Sequence, residues 1–315
     1  MLLKNSAAYV LARGLPGILS FLSITVFTHM LTKEEYGRYA LVVTGVVLVN
    51  VTLFLWLRMS VLRFLPNHLE DPKELLSTVM GLFGIMAFIS GLIGIVMYFI
   101  YPEPYLRKLI LFAVPMQWSY SWSELCLELL RSRLQPLRYG ILFFIKSAST
   151  LFIGALLAYY FTVGAYAPLT GMFVGTLIAG VFMSFGMWKG VRPRLDRELT
   201  RQLLIYGLPL TLTGGLEYIL RSADRLVIGN MMSEGAVGVY SAAFDLSQQT
   251  LVLLMMIVNL AAYPLAVRAL EQKGEEAAKR QVDKNGTLLM AVGLPAAVFM
   301  ALLATTVASA LLGKD

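Results

Sequence analysis

The sequence predicts an all-α, polytopic membrane protein, and three observations carry that expectation. The 315 residues are 58% apolar and only 14% charged, with a mean hydropathy of +0.72, whereas soluble domains carry about 25% charged residues. Nine apolar stretches of spanning length follow one another along the chain, about 20 mostly apolar residues being enough to cross a bilayer. The connections between them alternate between rich and poor in Lys and Arg, the charge pattern of loops on opposite sides of a membrane.

The nine stretches are about 10–32, 39–62, 75–100, 108–130, 139–161, 165–188, 203–231, 236–262 and 286–312. Of the 26 Lys and Arg, three lie within spans (Lys146, Arg221, Arg225) and five on one side (Lys33, Arg38, Arg107, Lys108, Lys314). The other eighteen, Arg58 and Arg63 at the end of span two among them, fall on the other side. The positive-inside rule therefore places the N-terminus in the cytoplasm of a multi-pass protein of the cytoplasmic membrane. The net charge of +7 serves orientation, and nucleic acid is not an expected partner. The first apolar run leads straight into further spans without a small-residue cleavage site, so it reads as a transmembrane helix and not as a signal peptide. One cysteine, Cys126, and two histidines, His29 and His68, leave no set of metal ligands, and no cofactor is expected.

The spans are not uniformly apolar. In span four, Gln117, Ser121, Glu124, Glu128, Arg131 and Gln135 fall within about 80° of one another on the helical wheel, a polar stripe in which Glu124 and Glu128 are the costly members. Span five holds Lys146, which reads either as a lysine snorkelling to the cytoplasmic interface or as part of a site. In span seven Glu217, Arg221, Asp224 and Arg225 share an arc of about 100°. Each such charge costs roughly 2.5–3.5 kcal/mol near the bilayer centre, so the stripe is expected to face other helices or a wet cavity. Span eight places Ser241, Asp245, Gln249 and Asn259 on one face. Two connections are strongly polar: KGVRPRLDRELTR, the boundary between halves, and EQKGEEAAKRQVDKN, which has a helical pattern.

The halves repeat. Gly14-Leu15-Pro16 opens span one as Gly207-Leu208-Pro209 opens span seven. Tyr36-Gly37-Arg38-Tyr39-Ala40 recurs as Val237-Gly238-Val239-Tyr240-Ser241, and Phe64-Leu65-Pro66 as Ala262-Tyr263-Pro264. An even number of spans separates the copies, so both have the same orientation in the membrane. Parallel repeats of this kind hold a substrate between them in several transporter folds.

The runs LTKEEYGRYAL and ADRLVIGNMMSEGAVGVYSAA, with the RFLP end of span two, resemble the polysaccharide-exporter branch of the multidrug/oligosaccharidyl-lipid/polysaccharide (MOP) flippase superfamily, which includes Wzx-type O-antigen flippases. The resemblance implies MATE-like helical lobes around a central cavity. It also implies movement of an undecaprenyl-pyrophosphate-linked oligosaccharide, a precursor for polysaccharide or lipopolysaccharide, by alternating access. Expected partners are that lipid-linked oligosaccharide, the bilayer and proteins of polysaccharide assembly. The division expected is a six-helix lobe at 1–190, a cytoplasmic linker at 191–202 and a three-helix, incomplete lobe at 203–315. The family has about twelve or more spans against nine here, so the sequence is expected to be a truncated member.

Two readings remain for the buried charges. In the first, Arg221, Arg225, Lys146, Glu124 and Glu128 bind the substrate, arginine offering a planar fork to a pyrophosphate. Glu217, Asp224 and Asp245 then pair with them or couple transport to an ion. In the second, the charges only hold the bundle together, Glu217 and Arg221 as an i,i+4 pair. No catalytic residues are expected: neither Glu103 nor Glu34-Glu35 makes a metal or carboxylate-pair motif, and Gly-rich phosphate loops are absent. The alternatives are cation or drug efflux of the MATE type, which calls for an acidic cavity, and a non-transporting truncated bundle.

Overall fold

The computed structural model describes residues 2–68 and 71–313, with side chains described except at 2–13, 183–185, 256–261, 263–264, 267–268, 270–271 and 273. Among the described residues it is all-helical, without strands. The helices are α1 (Leu2–Met30), α2 (Lys33–Phe64, continued by a 3-10 turn at Leu65–His68), α3 (Lys73–Ile100), α4 (Pro104–Ser132), α5 (Pro136–Phe161), α6 (Tyr166–Met187), α7 (Arg197–Met231), α8 (Glu234–Lys273), α9 (Glu275–Leu302) and α10 (Ala304–Leu311). Each expected span falls on a helix. The ninth breaks at Leu303, so its last turns form α10. Among the described residues, five helices are long and apolar enough to cross a membrane: Lys33–His68, Lys73–Ile100, Pro136–Phe161, Arg197–Met231 and Glu275–Leu302, with shorter apolar helices at Gly14–Met30 and Tyr166–Phe182.

Local chemistry sets the helix ends. Thr32 caps α2 by accepting from the Glu35 N–H at 3.2 Å, and Glu35 returns the contact by accepting from the Thr32 N–H at 3.0 Å, a capping box that satisfies two otherwise orphaned donors. Asp196 caps α7 through the Leu199 N–H at 2.8 Å. Pro104 and Pro136 open α4 and α5, where a missing N–H costs nothing. The polar connection after span eight is helical on both sides, as its pattern suggests, and breaks only at Gly274, whose φ of +78° suits glycine.

Packing centres on α2. One cluster joins α2 to α3, α4, α5, α6 and α7 through Trp56, Leu57, Leu75, Leu129, Leu142, Ala179 and Leu203, all 2% exposed or less. Polar contacts tie the same helices: Asn50 donates to Ser121 at 2.6 Å, Ser119 and Thr176 lie 2.8 Å apart, and Ser60 donates to the Leu203 carbonyl at 2.8 Å. The repeated segments pack reciprocally. α7 runs along α2 while α1 runs along α8, and α2 and α8 meet directly. At that crossing a Cβ on Gly37 would overlap the Glu234 carbonyl, and a Cβ on Gly238 would overlap the Lys33 carbonyl.

Candidate functional site

Charged side chains inside the bundle collect in two groups. In the first, Glu124 of α4 accepts from Arg58 of α2 through Oε2 at 2.8 Å and from Lys146 of α5 through Oε1 at 2.5 Å. The Lys146 ammonium also stands 4.4 Å from the centre of the Tyr120 ring, close enough for a cation–π attraction. Burying ions is favourable only when pairing and hydrogen bonds are good, and these three supply one another. Glu128, one turn further along α4, is near Arg131 at 3.6 Å, toward the end of the helix.

The second group lies between α7 and α8. Arg225 pairs with Asp245, its side chain 11% exposed, and its guanidinium lies 5.4 Å from the Phe244 ring centre. Asp224 accepts from the Tyr240 hydroxyl.

A cavity of about 310 Å³ separates the two groups. Lys146 reaches its wall from one side and Asp245 from the other. Between them the wall carries Tyr36 and Tyr39 of α2, Tyr120 of α4, Gln248 and Gln249 of α8, and hydroxyls from α1 and α5. The sequence brings these together by simple periodicity: on α1, Ser20, Ser23, Ile24 and Phe27 recur at three- and four-residue steps and so share one face. Rings and hydroxyls with one cation and one carboxylate make a chamber able to hold a polar, charged molecule by hydrogen bonds and stacking.

The span-seven stripe divides in the structure. Arg225 and Asp224 face α8, whereas Glu217 and Arg221 pair with each other at 2.9 Å on an open surface, with side chains 66% and 58% exposed. The reason is the way α7 docks. Leu203, Gly207, Thr211 and Ser222 are its buried residues and α2 its main neighbour, whereas the stretch that holds Glu217 and Arg221 stays open, as do Leu212, Leu216 and Leu220. The cavity wall therefore includes Lys146 and Asp245, with Glu124 and Arg225 one contact behind them, while Glu217, Arg221 and Glu128 lie elsewhere. Asn259 is outside the residues whose side chains are described.

Arg58 is a correction to the sequence reading. Counted there among the cytoplasmic cations, it is 8% exposed and paired inside the bundle. Its signal was the eight-residue step from Asn50, which puts both on one face of α2, opposite the polar stripe of α4. The cavity tyrosines were also missed, because Tyr36 and Tyr39 sit where an interfacial aromatic belt is expected.

Residues 26–315 match a family model described as polysaccharide biosynthesis protein. Among solved structures, an inward-facing multidrug resistance MATE family transporter of the MOP superfamily is similar, with a TM-score of 0.61 and 13% identity, over 95% of this chain and 74% of that one. At that identity the likeness establishes a MATE-like fold. No curated protein matches the sequence.

Proposed function

The chain belongs to the polysaccharide biosynthesis protein family, and from that premise we propose that it moves an undecaprenyl-pyrophosphate-linked oligosaccharide across the cytoplasmic membrane. Family and fold together support the reading of a multi-pass membrane protein of transporter type. The substrate, the cytoplasmic position of the N-terminus, the partners in polysaccharide assembly and the division into a lobe at 1–190, a linker at 191–202 and a second lobe from 203 are our reading.

The observation that carries the proposal is the chamber between α1, α5 and α8, with Lys146 on one wall and three tyrosines, amides and hydroxyls around it. Lysine is a compact charge on a flexible stem, suited to following a phosphate group through a changing cavity. Aromatic faces and hydrogen-bonding groups suit sugar rings. Glu124, with Arg58, holds the lysine when no substrate is present, and Arg225 does the same for Asp245 on the opposite wall.

A second reading has an observation of its own. Asp245 also reaches the wall, as an acidic residue would for a cationic substrate, and the similar solved structure is a multidrug transporter. Cells that lack their own oligosaccharide exporter separate the two. Expression of the chain should restore surface glycan and leave ethidium accumulation unchanged. Lowered ethidium accumulation without surface glycan would favour cation efflux.

A further inference from the structure

Two cations pair with Glu124 inside the helical bundle, with side-chain exposures of 10% for Arg58, 11% for Lys146 and 19% for Glu124. The carboxylate gives each cation one oxygen, Oε2 to Arg58 and Oε1 to Lys146. Only Lys146 of the three lines the cavity. Arg58 stands on the far side of Glu124, and its Nε has no hydrogen-bond partner. Two cations thus share the Glu124 carboxylate, and the one that reaches the cavity is the lysine.

We propose that Arg58 is a positioning residue for an anion-binding lysine. It keeps Glu124 in a lasting ion pair, so that Lys146 can exchange that carboxylate for a phosphate group of the substrate. Arginine suits the fixed role, since it does not lose its proton. Lysine suits the mobile one, with a flexible stem and a rotatable donor set. Without Arg58, movement of Lys146 would strand an ionised carboxylate inside the membrane, which is strongly unfavourable; the lysine would therefore stay on Glu124. The inference rests on the reading of the substrate as a lipid pyrophosphate.

The test uses the purified full chain in detergent, with undecaprenyl pyrophosphate as the probe and undecaprenol as the uncharged control, affinities being taken on the monodisperse folded fraction. Wild type should bind the pyrophosphate form in preference to the alcohol. Arg58→Gln should weaken that binding about tenfold or more, the equivalent of one charge-assisted hydrogen bond, although Lys146 is intact. Arg58→Lys should bind nearly as wild type. Arg58→Gln combined with Glu124→Gln should recover the affinity, because no carboxylate then competes for the lysine. Lys146→Gln should lose the preference in every background. Wild-type affinity in Arg58→Gln, or failure of the double variant to recover, would overturn the positioning role. Equal binding of pyrophosphate and alcohol by wild type would instead overturn the substrate reading.

Discussion

Gly37 and Gly238 face each other where α2 crosses α8, and the space that a side chain on each would need is taken by the other helix's backbone, at Glu234 for the first and Lys33 for the second. These positions are related by the internal repeat, which pairs Tyr36-Gly37-Arg38 with Val237-Gly238-Val239. The contact is therefore reciprocal, with each glycine meeting the counterpart of its own fourth preceding residue. Arg38 fastens the same crossing by donating to Glu234 at 2.5 Å, with its guanidinium 4.5 Å from the Tyr105 ring centre.

Adding a methyl group at this crossing should push the helices apart. Gly37→Ala and Gly238→Ala should each destabilise the protein by about 1–3 kcal/mol, the usual cost of overpacking, read as a lower melting temperature in detergent. Gly45→Ala serves as the control, since nothing stands within 4 Å of its Cβ position. Equal melting temperatures for all three would contradict the close crossing.

Removal of Glu124 leaves Arg58 and Lys146 without their shared carboxylate. Glu124→Ala is expected to cost about 3–5 kcal/mol, as for a buried ion pair broken from one side. Replacing all three charges together (Arg58→Met, Glu124→Leu, Lys146→Met) should cost much less, because no ion is then stranded. Thermal unfolding of the two variants tests this. A triple variant as unstable as Glu124→Ala would show that packing, not charge, sets the loss.

Orientation can be read by cysteine labelling in a Cys126→Ser background, Cys126 being buried. Glu34→Cys and Ser233→Cys, at the starts of α2 and α8, should react with an impermeant thiol reagent from outside intact cells. Arg194→Cys, before α7, and Gly274→Cys, between α8 and α9, should react only after the membrane is opened. The reverse pattern would overturn the assignment of the N-terminus to the cytoplasm.

The exposed pair on α7 gives a separate comparison. Arg221→Gln should reduce glycan export less than Lys146→Gln at equal protein abundance, because Arg221 pairs with Glu217 away from the chamber. Greater loss in Arg221→Gln would move the binding site to the outer side of α7.

Much of this architecture was legible in the sequence. Spans were visible because apolar runs of spanning length are long, and the repeat because glycine and proline mark the same turns twice. Glu124, Lys146, Arg225 and Asp245 stood out as charges within apolar helices. What periodicity could not supply was the partner of each charge. Arg225 and Arg221 are one turn apart and read alike, yet one meets Asp245 across to α8 and the other meets Glu217 of its own helix, because the packing of α7 on its neighbours decides which part of a stripe is covered. Arg58 was hidden by its position near the end of a span, where a cation ordinarily reaches water. Its burial depends on α4 presenting Glu124 at the same depth, a tertiary relation that no single helix carries.

In the function we propose, the chamber around Lys146 carries a lipid pyrophosphate across the bilayer. Proteoliposomes containing the chain and a fluorescent undecaprenyl-pyrophosphate-linked oligosaccharide in both leaflets, treated with an impermeant quencher, provide the test. Inner-leaflet fluorescence should become accessible over time with wild type, and remain protected with Lys146→Gln at equal reconstitution. Equal rates for Lys146→Gln and wild type, or a wild-type rate no faster than in protein-free liposomes, would contradict the account.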